Sequence, residues 1–268
     1  MEFLKHFKRR SFLNEVIYVS LNICLAISLM VIVRVTGLVW PALILVLLSK
    51  WRIFAVRPQF WFANIQANLV SLIVSISYVI FVYNVGHLNI GDAQILILQL
   101  LLAALDACWL LFLKPKSKRK YIILQAGVAL FVGVTAVYSI SYILEIATPV
   151  VLLMWLIGYA TSKHILSNYD DEDRVVFLSL SWGMIMAELG WIAYHWTIAY
   201  RLPFVSSLSI PQVSIIALCM SFLSYKIYNS FYHYQKIRIN DIMLPLIFTV
   251  AIILVLIIGF NGVMTIVS

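Results

Sequence analysis

Long apolar runs alternate with short polar segments along the whole chain, and most of the runs hold about 20 residues. A helix of about 20 apolar residues spans the hydrocarbon core of a bilayer. The pattern therefore predicts an all-α, polytopic integral membrane helix bundle, forming a single transmembrane domain over residues 1–268 with no soluble domain. We predict nine transmembrane spans, at residues 16–33, 38–49, 62–83, 93–113, 121–139, 145–165, 175–200, 210–229 and 242–267.

The second run is unusually short. A helix over 38–49 rises only ~18 Å, less than the ~30 Å of the hydrocarbon core. The first two spans are therefore expected to form either a tilted hairpin or a partly re-entrant one. Either arrangement returns the chain to its starting side at Lys50.

The basic residues indicate the orientation. With the N-terminus placed in the cytoplasm and the spans alternating, 17 of the 19 Lys and Arg residues fall on the inner side and only Arg34 and Arg201 on the outer side. Basic residues concentrate in cytoplasmic loops. The layout thus predicts a cytoplasmic N-terminus and a C-terminus outside.

Composition supports this class of protein and excludes others. The chain is 63% hydrophobic and 11% charged, whereas soluble domains carry about 25% charged residues. The net charge of +8 follows from the topology, so we expect the lipid bilayer as partner and no nucleic acid. The cysteines lie inside apolar runs without metal-ligand spacing, and no metal or cofactor is predicted.

The predicted seventh span, 175–200, carries an acidic residue near its centre. Ser181, Glu188 and His195 are seven residues apart, which places them on one helix face. A charged carboxylate at that depth costs at least ~2.5–3.5 kcal/mol, so Glu188 is expected to face the bundle interior. It serves either in proton or ion coupling or in a hydrogen bond between helices.

Asp106 is the second acidic residue inside an apolar run, eight residues before Lys114. If Asp106, Glu188 and His195 face one cavity, they form a series of titratable groups across the membrane. The alternative is that Asp106 pairs with a polar side chain such as Gln125 or extends toward the interface.

Other residues form faces at helical spacing. A polar stripe in the third span either packs against neighbouring helices or lines a hydrated path. Small residues in the fifth span, around Ala129 and Gly133, and Gly183 with Ala187 in the seventh, predict close helix packing. The polar stripe consists of Asn64, Asn68, Ser71, Ser75 and Tyr78.

A basic run follows the fourth span. It is a candidate for contact with anionic lipid at the cytoplasmic face, although orientation alone also explains it. Its members are Lys114, Lys116, Lys118, Arg119 and Lys120.

The stretch LSKWRIFAVRPQFWFANIQANL, within residues 48–70, resembles a segment of uncharacterised multi-pass membrane proteins from small-genome bacteria. The resemblance implies no activity. We expect the protein in the bacterial cytoplasmic (inner) membrane, either as a homo-oligomer or with another membrane protein as partner.

Three functional hypotheses follow. The first is a proton- or ion-coupled transporter of small molecules that uses Glu188, with Asp106 and His195 in support. The second is a non-catalytic assembly or anchoring subunit that binds partner helices. The third is an intramembrane lipid-modifying enzyme, for which no catalytic residue is assigned.

Overall fold

The computed structural model describes residues 2–51, 57–141, 145–169, 172–196, 198–201 and 209–259. Within these ranges the chain forms nine α-helices and one short hairpin of two antiparallel strands, β1 (Ala199–Arg201) and β2 (Ser209–Pro211). The helices are α1 (Glu2–Thr36), α2 (Trp40–Ser49), α3 (Trp61–Gly86), α4 (Asp92–Cys108), α5 (Arg119–Ser139), α6 (Ala147–Leu166), α7 (Val175–His195), α8 (Gln212–Tyr234) and α9 (Ile239–Leu254). A π-helical turn at Trp109–Leu113 extends α4, and another at Val255–Gly259 extends α9.

Seven of the described helices are long and apolar enough to cross a membrane. They are α1 from Asn14, α3, α4 with its π turn, α5, α6, α7 and α9 with its π turn. The predicted class, an all-α integral membrane protein, is therefore confirmed. The count of nine spans and the orientation stay predictions.

The two remaining helices differ from the predicted spans for different reasons. α2 has 10 residues and rises only ~15 Å, about half of a hydrocarbon core. α8 has 23 residues, a sufficient length, but its serines, tyrosines and Lys226 make it less apolar than the seven.

A glycine separates α1 from α2. Gly37 has φ +65°, the left-handed conformation that a helix commonly adopts just after its end. Its N–H donates to the carbonyl of Val33 at 2.9 Å, which closes the last turn of α1. Pro41 then lies in the first turn of α2, where the missing N–H costs nothing.

The chain divides into two compact units. Unit 1 comprises Met1–Ile65 and Tyr78–Tyr121, and unit 2 comprises Gln66–Ser77 and Ile122–Ser268. In unit 1, α1 packs against α2 and α4. The buried side chains include Leu29 of α1 and Val46 of α2.

In unit 2 the closest helix pair is α6 with α7. Glycines permit this approach: a Cβ placed on Gly158 would lie 2.6 Å from Cγ of Met186, and one on Gly190 would lie 2.7 Å from Cγ of Met154. Gly183, which the sequence predicts to pack closely, lies against Trp155 of α6. That prediction is confirmed.

The small-residue face of α5 is buried as predicted. Ala129 is fully buried, and Gly133 lies against Ile73 and Ile157. A Cβ on Gly133 would come within 2.7 Å of Cγ2 of Ile73, so only glycine fits there without displacing a neighbour.

Candidate functional site

Asp106 of unit 1 is an acidic residue whose side chain is buried inside the protein. It lies in the last turn of α4, and its side chain is 5% exposed. Neither carboxylate oxygen has a hydrogen-bond partner among the described residues. Buried polar groups in proteins are nearly always hydrogen-bonded, and each exception calls for an explanation, such as strain, a catalytic role, or a bound ion or water molecule.

The helix changes geometry directly after Asp106. The N–H of Lys114 donates to the carbonyl of Trp109 at 2.9 Å, the i to i+5 bond of a π-helical turn. Such turns occur frequently at functional sites. Trp109 is buried, and its indole Nε1–H also has no partner among the described residues. Three positions apart, Asp106 and Trp109 share one helix face.

Two lysines complete this cluster. Lys50, just after α2, and Lys114, just after α4, both interact electrostatically with Asp106. Lys50 is only 8% exposed, whereas Lys114 is exposed and so connects the cluster to the surface. We call Lys50, Asp106, Trp109 and Lys114 the Asp106 cluster.

Burial lowers the pKa of Lys50 from 10.5 to about 7. Repulsion from the nearby Lys114 acts in the same direction, and attraction to Asp106 acts against both. Lys50 therefore exchanges its proton near neutral pH, which an ordinary lysine does not.

A second polar group lies further along the same face of α4. Gln99 is 1% exposed and seven residues before Asp106, or ~10 Å along the helix. Its Oε1 accepts a hydrogen bond from Nη1 of Arg34 at 3.0 Å, and its Nε2 donates to the carbonyl of Val82 at 3.1 Å. Arg34 also pairs with Asp92 at 3.9 Å.

Unit 1 thus carries polar groups at three levels of α4: Asp92, Gln99 and Asp106. Sequence reasoning missed Gln99 and Arg34. The signal was present, because the three positions on α4 are seven residues apart and so lie on one face.

The α7 face that the sequence predicts to point into the bundle points outward in the structure. Ser181, Glu188 and His195 all lie on the exposed surface of this helix. The expectation that Glu188 faces the bundle interior is therefore corrected, because the α7 face that packs on α6 is the one with Gly183 and Gly190. Ser181 donates to the carbonyl of Phe177 at 3.0 Å, and Nδ1 of His195 lies 2.9 Å from the carbonyl of Trp191.

Asp106 belongs to unit 1, whereas Glu188 and His195 belong to unit 2. The roles of Glu188 and His195 in coupling stay predictions. The alternative for Asp106, a hydrogen bond to a polar side chain such as Gln125, is not present in the described part of the chain. Oε1 of Gln125 lies 2.9 Å from Nε2 of His164 instead.

The polar stripe of α3 is largely buried. Ser71 and Ser75 lie inside, Asn64 and Asn68 are partly exposed, and Ser75 donates to the carbonyl of Ser71 at 3.0 Å. The hydroxyl of Tyr78 donates to the carbonyl of Ala26 on α1 at 2.8 Å. These bonds favour the packing interpretation of the stripe.

The basic run after α4 lies at the surface. Lys114, Lys116, Lys118 and Lys120 are exposed, and Arg119 is partly exposed. The ammonium group of Lys116 lies 4.2 Å from the centre of the Tyr121 ring. Accessibility is what contact with lipid head groups requires, and that contact stays a prediction.

Unit 2 has a partly buried polar network that sequence reasoning also missed. Lys163 of α6 donates to Oε1 of Gln66 and, at 3.1 Å, to the hydroxyl of Tyr159. Nε2 of Gln66 donates to the same hydroxyl at 3.1 Å. The side chains of Lys163, Gln66 and Tyr159 hydrogen-bond to one another. In the Asp106 cluster, by contrast, the carboxylate and the indole N–H have no hydrogen-bond partner among the described residues.

Comparison of the chain with protein-family models, with curated proteins and with solved structures gives no significant match. The class that the fold defines is an integral membrane protein of apolar helices.

Proposed function

We propose that the protein is a proton-coupled transporter of a small polar solute and that Asp106 is its proton-binding group. One observation carries the proposal: both oxygens of a carboxylate that is 5% exposed have no hydrogen-bond partner among the described residues. An ionised carboxylate without partners is costly in a low-dielectric interior. Binding a proton or a cation removes that cost.

Ionisable residues inside membrane helices commonly mark proton relays and substrate paths. In the proposed route, a hydronium ion from the aqueous phase gives its proton to the neutral amine of Lys50 by way of the exposed rim at Lys114, and leaves as water. The Lys50 ammonium then gives its proton to the Asp106 carboxylate, which leaves a neutral amine and a neutral carboxylic acid. The lowered pKa of Lys50, about 7, makes this transfer feasible near neutral pH.

The next polar group along α4 is Gln99, ~10 Å from Asp106 along the axis. That distance exceeds one hydrogen bond, so a route between the two groups requires a bound solute or water molecules to connect them. The indole N–H of Trp109, which has no hydrogen-bond partner among the described residues, offers a donor to a polar solute beside the carboxyl group. Proton binding is coupled to solute binding in this way, because a protonated Asp106 can donate a hydrogen bond to the solute and an ionised Asp106 can only accept one.

Proton movement into proteoliposomes with pyranine inside tests the proposal. A membrane potential is imposed, and amino acids, sugars and organic cations are added one at a time. At least one solute is expected to start proton movement, and Asp106→Asn is expected to lower its rate at least tenfold. Glu188→Gln is the control, since it removes an acidic group from the exposed face of α7. Equal rates in wild type and Asp106→Asn would contradict the proposal.

The exposed face of α7 favours a second function, that of an assembly subunit. A carboxylate at mid-membrane costs ~2.5–3.5 kcal/mol, and a polar side chain on a partner helix would offset part of this cost. In this case the wild-type protein stays in a complex in mild detergent, and Glu188→Leu is expected to dissociate that complex. A wild-type monomer in the same detergent would count against this function.

A further inference from the structure

Unit 2 contains an apolar cavity of about 560 Å³ between α5, α8 and α9. This volume lies within the usual range for small-molecule sites, about 300–1,000 Å³. The lining is hydrocarbon apart from a few side chains, including Cys219 and Thr249. The cavity belongs to a different unit from the Asp106 cluster and plays no part in the transport proposed above.

The cavity opens on the bundle surface. Leu124 of α5, Phe222 of α8 and Phe248 of α9 line it and are also exposed. In a bilayer that surface meets lipid chains.

Water is a poor occupant of such a space. A buried water molecule needs two to four polar partners, and this lining offers very few. Hydrocarbon, in contrast, restores the dispersion contacts that lining atoms lose beside a void. The physical requirements therefore select an apolar chain.

A smaller cavity of about 150 Å³ adjoins the first and shares Ile165, Ser221 and Tyr225 with it. Its lining adds the hydroxyl groups of Ser162, Ser224 and Tyr228. We call these two adjoining cavities the groove; the large cavity is its apolar part, and the small cavity is the part with these hydroxyl groups.

A positive charge lies beside this groove. The ammonium group of Lys226 lies 5.6 Å from the ring centre of Phe222, which lines the large cavity. Glu172 is an acidic side chain near the small cavity, and it accepts a hydrogen bond from Tyr228, which lines that cavity. At this end of α8 and α9 the basic side chains are Lys226, Lys236 and Arg238, and the acidic one among the described residues is Asp241, so the charge balance is positive.

From these observations we propose that unit 2 binds one anionic phospholipid, with an acyl chain in the large cavity and the phosphate at Ser224 and Lys226. An acyl chain gains little hydrophobic free energy on leaving the bilayer, because lipid tails are as apolar as the lining. Selectivity therefore rests on fit within the cavity and on the charge of the head group.

Native mass spectrometry of the protein in mild detergent, titrated with dioleoyl phosphatidylglycerol, tests the site. Wild type is expected to retain one lipid molecule and to prefer it over dioleoyl phosphatidylcholine. Lys226→Gln is expected to lower that preference about fivefold, the share of one basic side chain near a membrane surface. Equal retention of the two lipids by wild type would overturn the proposal.

A variant that fills the large cavity, compared with a control variant outside its lining, tests whether the lipid chain binds there. Gly127 lines it, and a Cβ there would meet only Cδ1 of Leu218, at 3.6 Å, so a larger side chain can enter the cavity from this position. Gly127→Phe is expected to weaken phosphatidylglycerol binding at least tenfold. Leu152→Phe, on an exposed site of α6 outside the lining, is expected to leave it unchanged. Unchanged binding in Gly127→Phe would contradict the assignment.

A labelling measurement keeps the test independent of that variant's folding. In a protein with Cys24→Ser and Cys108→Ser, the thiol of Cys219 reports on the cavity it lines. Phosphatidylglycerol is expected to slow alkylation of Cys219 by N-ethylmaleimide at least threefold, whereas the same amount of phosphatidylcholine is not. An unchanged rate with phosphatidylglycerol would overturn the proposal.

Discussion

At the scale of single residues, two acidic side chains in apolar helices have opposite environments. Asp106 is enclosed without a hydrogen-bond partner among the described residues, and Glu188 lies on an exposed surface. The interior carboxylate is therefore the stronger candidate for proton binding. The sequence assigns more weight to Glu188, because Glu188 lies nearer the centre of its run.

Lys50 leads to a prediction about stability. Its pKa is about 7 in the folded protein against 10.5 for an ordinary lysine. Between these two pKa values the unfolded chain binds more protons than the folded one, so the free energy of unfolding increases as the pH rises from 7 to 10. Below pH 7 Lys50 is charged in both states, and the folded protein bears the full cost of burying that charge. The thermal unfolding midpoint in detergent should rise over this range in wild type. In Lys50→Met the rise should be smaller.

The exposed Lys116→Met is the control for that measurement, since it removes the same charge from a surface position. It should keep the wild-type rise. A rise of equal size in wild type and Lys50→Met would contradict the role of Lys50 burial.

At the scale of helices, periodicity predicts which residues share a face but not where that face points. Ser181, Glu188 and His195 do share a face of α7, and it is the exposed one. The direction is decided by glycine packing, because Gly158 and Gly183 allow α6 and α7 to approach closely. A polar face and a small-residue face cannot both occupy that contact.

The α6–α7 contact supplies a second stability prediction. Gly158→Ala places a Cβ 2.6 Å from Cγ of Met186, and overpacking of this kind costs about 1–3 kcal/mol. The thermal unfolding midpoint should fall. Gly91→Ala is the control, because no atom lies within 4 Å of a Cβ there. Equal midpoints for the two variants would show that α6 and α7 do not pack through these glycines.

At the scale of the whole molecule, hydropathy alone predicts the class of fold. Apolar runs of sufficient length coincide with seven of the described helices. The division into two units, with α3 contributing to both, was not predicted. It depends on which faces pack, and hydropathy does not report this. The spacing of Gln99 on α4 was visible in the sequence, but its hydrogen bond from Arg34 was not, because that bond joins α4 to α1.

The orientation gives a prediction at this scale. In a cysteine-free background, Asn89→Cys and Ser117→Cys flank α4. The excess of basic residues on one side predicts that a membrane-impermeant maleimide labels Asn89→Cys in intact cells and Ser117→Cys only after permeabilisation. Labelling of both from the same side would contradict a crossing by α4.

The most direct test of the central claim is an infrared pH titration of the protein in membranes, which follows the carbonyl stretch of protonated carboxylic acids. The chain has 11 acidic residues, so the variants are compared by difference: we predict one carboxylic-acid band that titrates in wild type and in Glu188→Gln and is absent from Asp106→Asn. A titrating band that remains in Asp106→Asn and disappears in Glu188→Gln would contradict the assignment of Asp106 as the proton-binding group.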